Sequence, residues 1–126
     1  MPGPNRLLAV GAALAGAAVA LGAFGAHALR GMFSSEQFGW WQTGVQYQMW
    51  HGLALVALGA ARTPLRWSPR LLGAGALVFA GTLYAMALGG PRWLGAVTPV
   101  GGALMIAGWI CLFLSALRNH GSGASG

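Results

Sequence analysis

Two histidines stand inside apolar runs: His27 in "FGAHAL", residues 24–29, and His51 in "YQMWHGLAL", residues 47–55. An imidazole in such a place can ligate a metal or haem, or exchange a proton near neutral pH. On a helix, Gly44, Gln48, His51 and Leu55 recur at spacings of four, three and four, with Tyr47 one turn before His51. That spacing draws a polar stripe down one face, which Gln42 and Gln46 extend toward the helix start. Polar side chains within a membrane normally face protein, and an ionisable one there is a candidate functional residue. The same residue types also serve as interhelical hydrogen-bond glue contributing only about 1 kcal/mol each, so a ligand site and a purely structural role are both open.

Depth separates the two histidines. His51 lies ten residues past Trp41, about 15 Å at 1.5 Å per residue and so near the middle of a bilayer. His27 lies three residues before Arg30, only about 5 Å below the outer interface. A metal shared by both imidazoles would need each nitrogen within about 2 Å of it, so a joint site requires the second helix to start later than Trp41. His27 is predicted to lie level with Gly44 instead, where the missing side chain leaves room for the ring.

Other chemistries lack their parts. Cys111 is a lone thiol with no second cysteine for a disulfide or a cysteine-based zinc site. Glu36 is the only acid, which leaves no carboxylate pair for general acid/base work, and no phosphate-binding loop is present. His120 reads as solvated terminus. No catalytic residue, metal site or cofactor is expected.

The elements that must hold these residues follow from composition. The chain has 126 residues, 56% hydrophobic and 6% charged, with seven arginines and no lysine. No soluble domain of this size is covered by so few charges. A net charge of +6 would suit a nucleic-acid binder, but those spread basic residues over a wetted face. Here the arginines punctuate long apolar runs, the pattern of a polytopic membrane protein. The expected fold is all-α, a compact bundle of four transmembrane helices with spans at about 7–29, 41–61, 71–88 and 97–117. The first run is too long for a signal peptide, and cleavage after "GAFGAHA" would remove the first histidine. Residues 119–126, ending in "GSGASG", read as a flexible tail or engineered remnant.

Four spans place "RTPLRWSPR" (62–70) on the same side as Arg6 and Arg118, five arginines against Arg30 and Arg92 opposite. The positive-inside rule then predicts cytoplasmic termini. Glu36 falls on the outer side with Arg30 and Arg92, where pairing with one of them is expected. Trp40, Trp41, Trp67 and Trp93 fall at span ends, suited to the headgroup level. Ser34 and Gln37 fit a capping box, and Thr98 with Pro99 fits an N-cap followed by proline at the first helical position. Small-residue pairs offer close helix packing: Gly11 with Ala15, Ala18 with Gly22 and Gly22 with Ala26 on the first helix, then Ala76 with Ala80 and Gly81 with Ala85 on the third. Gly101, Gly102 and Gly108 serve likewise on the fourth.

"LGAFGAHAL" (21–29), "GWWQTGVQYQMWHGLAL" (39–55), "GTLYAMAL" (81–88), "TPVGG" (98–102) and "AGW" (107–109) occur in the same order as in the domain-of-unknown-function 423 family, also called transmembrane protein 256-like. The chain resembles these small membrane proteins over nearly its whole length. The resemblance implies a four-helix protein of the bacterial inner membrane, in a family with no established activity. His27, Tyr47, Gln48, His51 and Tyr84 fall in its signature stretches and are the candidate site residues. Gln46 stands where some relatives carry an acid, which weakens any reading that needs a membrane carboxylate. The preferred function is structural or interaction-based, with the lipid bilayer, another membrane protein or a second copy as partner, and no nucleic acid. The alternative is a site for haem, a metal, a quinone or a proton path, centred on His51 with Tyr47 and Gln48.

Overall fold

The first helix starts at a side chain that does two things. The Asn5 side-chain oxygen accepts from the Leu8 N–H at 3.1 Å, and its Nδ2 donates to the Gly59 carbonyl at 2.8 Å, fixing the helix start against the end of the second helix. A computed structural model of the chain describes residues 3–62 and 64–123, with side chains through Arg118. Helix α1 spans Arg6–Phe24 and runs on through one π-helical turn, Gly25–Leu29. Helices α2 (Ser35–Ala61), α3 (Ser68–Ala87) and α4 (Leu94–Gly123) follow. Among the described residues there is no strand.

The capping box forms as expected. The Ser34 hydroxyl accepts from the Gln37 N–H at 3.1 Å, while the Gln37 side chain accepts from the Ser34 N–H at 2.9 Å. Helix α2 ends at Arg62, whose φ of 53° turns the chain left-handed, and Pro69 sits in the first turn of α3 where a missing N–H costs nothing.

The fourth helix departs from expectation. It begins at Leu94, because the N–H groups of Leu94, Gly95 and Ala96 already bond the carbonyls of Pro91, Arg92 and Trp93. Pro99 therefore lies inside the helix. Thr98, instead of capping it, donates to the Leu94 carbonyl at 3.1 Å and meets the Thr82 hydroxyl of α3 at 2.7 Å. At the other end α4 continues to Gly123, into the segment expected to be a tail. Residues 124–126 and the His120 side chain lie outside the described residues.

Each helix packs antiparallel on its chain neighbour, and the extensive interfaces are α1 with α2, α2 with α3, and α3 with α4. Helices α1, α3 and α4 are long and apolar enough to cross a membrane. Helix α2 is more polar, yet it follows α1 from Gly59 beside Leu8 to Gly25 beside Trp41, so it crosses at the same depth. Its 27 residues are about 40 Å long.

Close approach is what the glycines supply. A Cβ built on Gly11 would sit 2.7 Å from the Gly52 carbonyl oxygen, and one on Gly75 would sit 2.8 Å from that of Gly101. These two crossings bring backbone against backbone, which suits helices that associate by packing rather than by hydrophobic exclusion. The expectation for Gly81 fails, since nothing lies within 4 Å of it, and Gly102 touches Phe79 only at 4.0 Å. Both sit off the faces that α3 and α4 turn to each other. The large apolar side chains that remain exposed, among them Val19, Leu77, Ile106, Phe113 and Leu117, form the surface offered to lipid.

Candidate functional site

The buried polar residues gather on α2. Gln48 is 7% exposed and His51 5%, as the four-three-four spacing requires if that face is turned inward. Gln48 Nε2 donates to the Leu14 carbonyl of α1 at 2.9 Å, and its Oε1 accepts from the Tyr84 hydroxyl of α3 at 2.7 Å. One side chain thus joins three helices.

His51 is bonded at both ring nitrogens. Nδ1 is 2.8 Å from the Tyr47 carbonyl one turn back, and Nε2 accepts from the Trp109 indole N–H of α4 at 3.1 Å. A carbonyl can only accept, so this network assigns the proton to Nδ1 and makes the imidazole neutral. The Tyr47 ring stacks on His51, with planes 11° apart and centroids 6.1 Å apart, while Phe79 closes the other side of Tyr47 at 4.5 Å. Among the described residues, no buried side-chain nitrogen or oxygen lacks a partner.

The structure brings together Tyr47, Gln48, His51 and Tyr84 and separates His27 from them. His27 is exposed, two residues from each of the buried Gly25 and Leu29 and therefore on the opposite face of its turn. The place expected for it is taken by Tyr84, whose Cε1 would lie 2.7 Å from a Cβ on Gly44. Gln42 and Gln46 are also exposed and border a small cleft of about 140 Å³ between α1 and α2. Among the described residues no group of three or more His, Cys, Asp or Glu could hold a metal.

Two tryptophans matter that sequence reasoning did not select. Trp41, expected at the headgroups, is 4% exposed. Its indole N–H donates to the Leu21 carbonyl at 2.9 Å, and its ring fills the space where a Gly25 side chain would be. The π turn begins at that contact, in keeping with a side chain inserted against the helical ladder. Trp109 lies mid-span on α4, one residue beyond the buried Gly108, and reaches sideways to α2. An indole N–H away from both interfaces needs a partner, and that need was the available signal.

At the end of the bundle where α2 begins, Glu36 pairs with Arg92 at 3.1 Å, as expected, and the side chains are 55% and 83% exposed. It takes no part in the surroundings of His51.

These features define a small all-helical membrane protein whose inward polar groups bond one another across helices. The chain belongs to the family described as "Protein of unknown function (DUF423)", which matches residues 21–102. It is 43% identical over 107 residues to a UPF0382 membrane protein of Staphylococcus haemolyticus, covering 82% of this chain and 88% of that protein. It is 39% identical over 127 residues to the UPF0382 inner membrane protein YgdD of Escherichia coli, covering 96% and 97%. No solved structure matches it significantly.

Proposed function

We propose that the chain is a structural or interaction element of the bacterial inner membrane, and that Gln48 and His51 are interhelical joints, not a ligand site. The observation that carries this reading is the double engagement of His51: Nε2, the nitrogen a metal or haem would take, already accepts from Trp109. A ligand there would have to displace the indole and break the only polar tie between α2 and α4 recorded among the described residues. The outer faces of α1 and α4, which do not pack extensively on each other, are surfaces on which a membrane-protein partner or a second copy could lie.

Both termini are assigned to the cytoplasm, supported by the arginines at positions 6, 62, 66, 70 and 118 against those at 30 and 92. Reporter fusions at the C-terminus and in the 62–70 loop should both read cytoplasmic, and a periplasmic signal from either overturns the assignment. For the joint itself, the test is His51→Gln in protein purified in mild detergent. Glutamine keeps a donor and an acceptor, so the variant should elute and fold like the parent, and neither form should carry stoichiometric haem or metal by absorbance and elemental analysis. One cofactor per chain, lost in the folded variant, would replace this reading with the ligand site.

A further inference from the structure

A second concavity of the described residues lies away from His51, at the end of the molecule where the α2–α3 loop runs. It is a groove of about 990 Å³ between α1 and α3, near the top of the roughly 300–1,000 Å³ range of small-molecule sites. Leu7 and Val10 form one wall, Ala74 and Leu77 the other, and the buried Leu55 of α2 lies between them. It exists because α1 and α3 both pack on α2 without packing extensively on each other. Val10 and Leu77 are 51% and 60% exposed, so the groove opens sideways, toward the acyl region of a surrounding bilayer.

Its mouth is basic. Arg6, Arg66 and Arg70 border it, all three exposed. The Arg66 and Arg70 guanidiniums stand 5.5 Å and 5.7 Å from the Trp67 ring centroid, an arrangement that holds both charges beside the opening. No carboxylate side chain neutralises them, because the only acid in the chain is Glu36, which is engaged with Arg92 at the opposite end of the helices. Three guanidiniums with no carboxylate partner among the described residues, above an apolar trough that opens to lipid, match an amphiphile with an anionic phosphate head and an aliphatic chain. Guanidinium forks suit phosphate oxygens, and basic pockets between membrane helices suit anionic headgroups.

The geometry points to a binding site for an anionic phospholipid, its phosphate held by Arg6, Arg66 and Arg70 and one acyl chain lying between α1 and α3. The groove runs from Arg70 to Leu77 along α3, about 10 Å at the helical rise, so it takes the headgroup-proximal part of the chain.

The test uses the full chain, delipidated in mild detergent and titrated with palmitoyl-oleoyl phosphatidylglycerol or phosphatidylcholine, with bound lipid counted by native mass spectrometry. One phosphatidylglycerol should bind per chain, at least tenfold more tightly than phosphatidylcholine. Arg66→Gln and Arg70→Gln should each weaken it about fivefold, and the triple variant with Arg6→Gln about 100-fold, if each cation near the headgroup contributes as basic residues near anionic membranes do. Ala74→Leu keeps every charge and changes an exposed position, so it leaves the fold intact, fills the trough and should also weaken binding about tenfold. Equal affinity for the two lipids overturns the site. So does an Ala74→Leu variant that binds phosphatidylglycerol like the parent, since attraction would then come from the basic loop without the groove. Far-UV circular dichroism and elution volume, unchanged in all variants, separate loss of binding from loss of fold.

Discussion

The π turn around His27 and the middle of α2 around His51 begin from similar material, a histidine among glycines and aliphatics, and end differently. His51 is buried and bonded on both sides, whereas His27 points outward and the work of its region falls to Gly25 and Trp41. The difference is one of helical phase. Along α1 and its π turn the buried Gly11, Ala18 and Gly25 recur every seven residues, and His27 falls two residues off that line. On α2 the buried Gly44, Gln48, His51 and Leu55 all keep to one inward face. Residue type nominates a polar group inside a membrane, and phase decides whether it meets protein.

The largest expected effect comes from the region of the outward histidine. Gly25→Leu puts a side chain into the space of the Trp41 indole, so the ring must leave and its bond to the Leu21 carbonyl is lost. Overpacking of this kind costs about 1–3 kcal/mol, and the broken hydrogen bond adds about 1 kcal/mol. The unfolding midpoint in a denaturing-detergent titration should fall accordingly. An unchanged midpoint would mean that the contact between α1 and Trp41 is not a fixed part of the fold.

Much of this architecture was legible beforehand. The low charge, the arginine punctuation and the Ser34–Gln37 capping box specify helices and their order, because they rest on local chemistry and on the length a bilayer demands. The inward face of α2 was legible for the same reason. Partners across helices were not. That Tyr84 bonds Gln48, or that Trp109 reaches His51, depends on the rotation of each helix against the next, which small residues permit at several settings. Trp41 illustrates the limit, since an indole near the start of an apolar run suits the headgroup region and a buried seam equally well. Thr98 does too: the pair with Pro99 fits a helix start, but the turn begun at Pro91 had already started the helix.

A smaller effect should come from Gln48→Leu, which sharpens the comparison from the α2 side. It removes a donor to Leu14 and an acceptor from Tyr84 together, leaving a half-buried hydroxyl without its partner. Interhelical hydrogen bonds in membranes average about 0.6 kcal/mol with a ceiling near 1.7 kcal/mol, so the pair should account for about 1 kcal/mol in the same titration. Tyr84→Phe in the Gln48→Leu background should then cost little more, because the bond is already gone. Additive losses would mean that the two residues stabilise the fold independently and that the Gln48–Tyr84 bond is not a joint.

The smallest effect is expected at His27 itself. Its ring is exposed, and the nearby hydrogen bond that ties α1 to α2 is made by Trp41. Substitutions at exposed positions away from caps, cavities and networks stay within about 0.5 kcal/mol. His27→Ala should therefore leave the unfolding midpoint, the elution volume and any binding of phosphatidylglycerol at the far end unchanged, while His51→Leu, which cannot receive the Trp109 N–H, lowers the midpoint measurably. If His27→Ala destabilised the protein as much as His51→Leu does, the outward histidine would have to meet a partner in the membrane, a second copy or another protein seated on that face of α1. Equal losses measured at high dilution in detergent, where such a partner is gone, would instead show that phase does not separate the two rings.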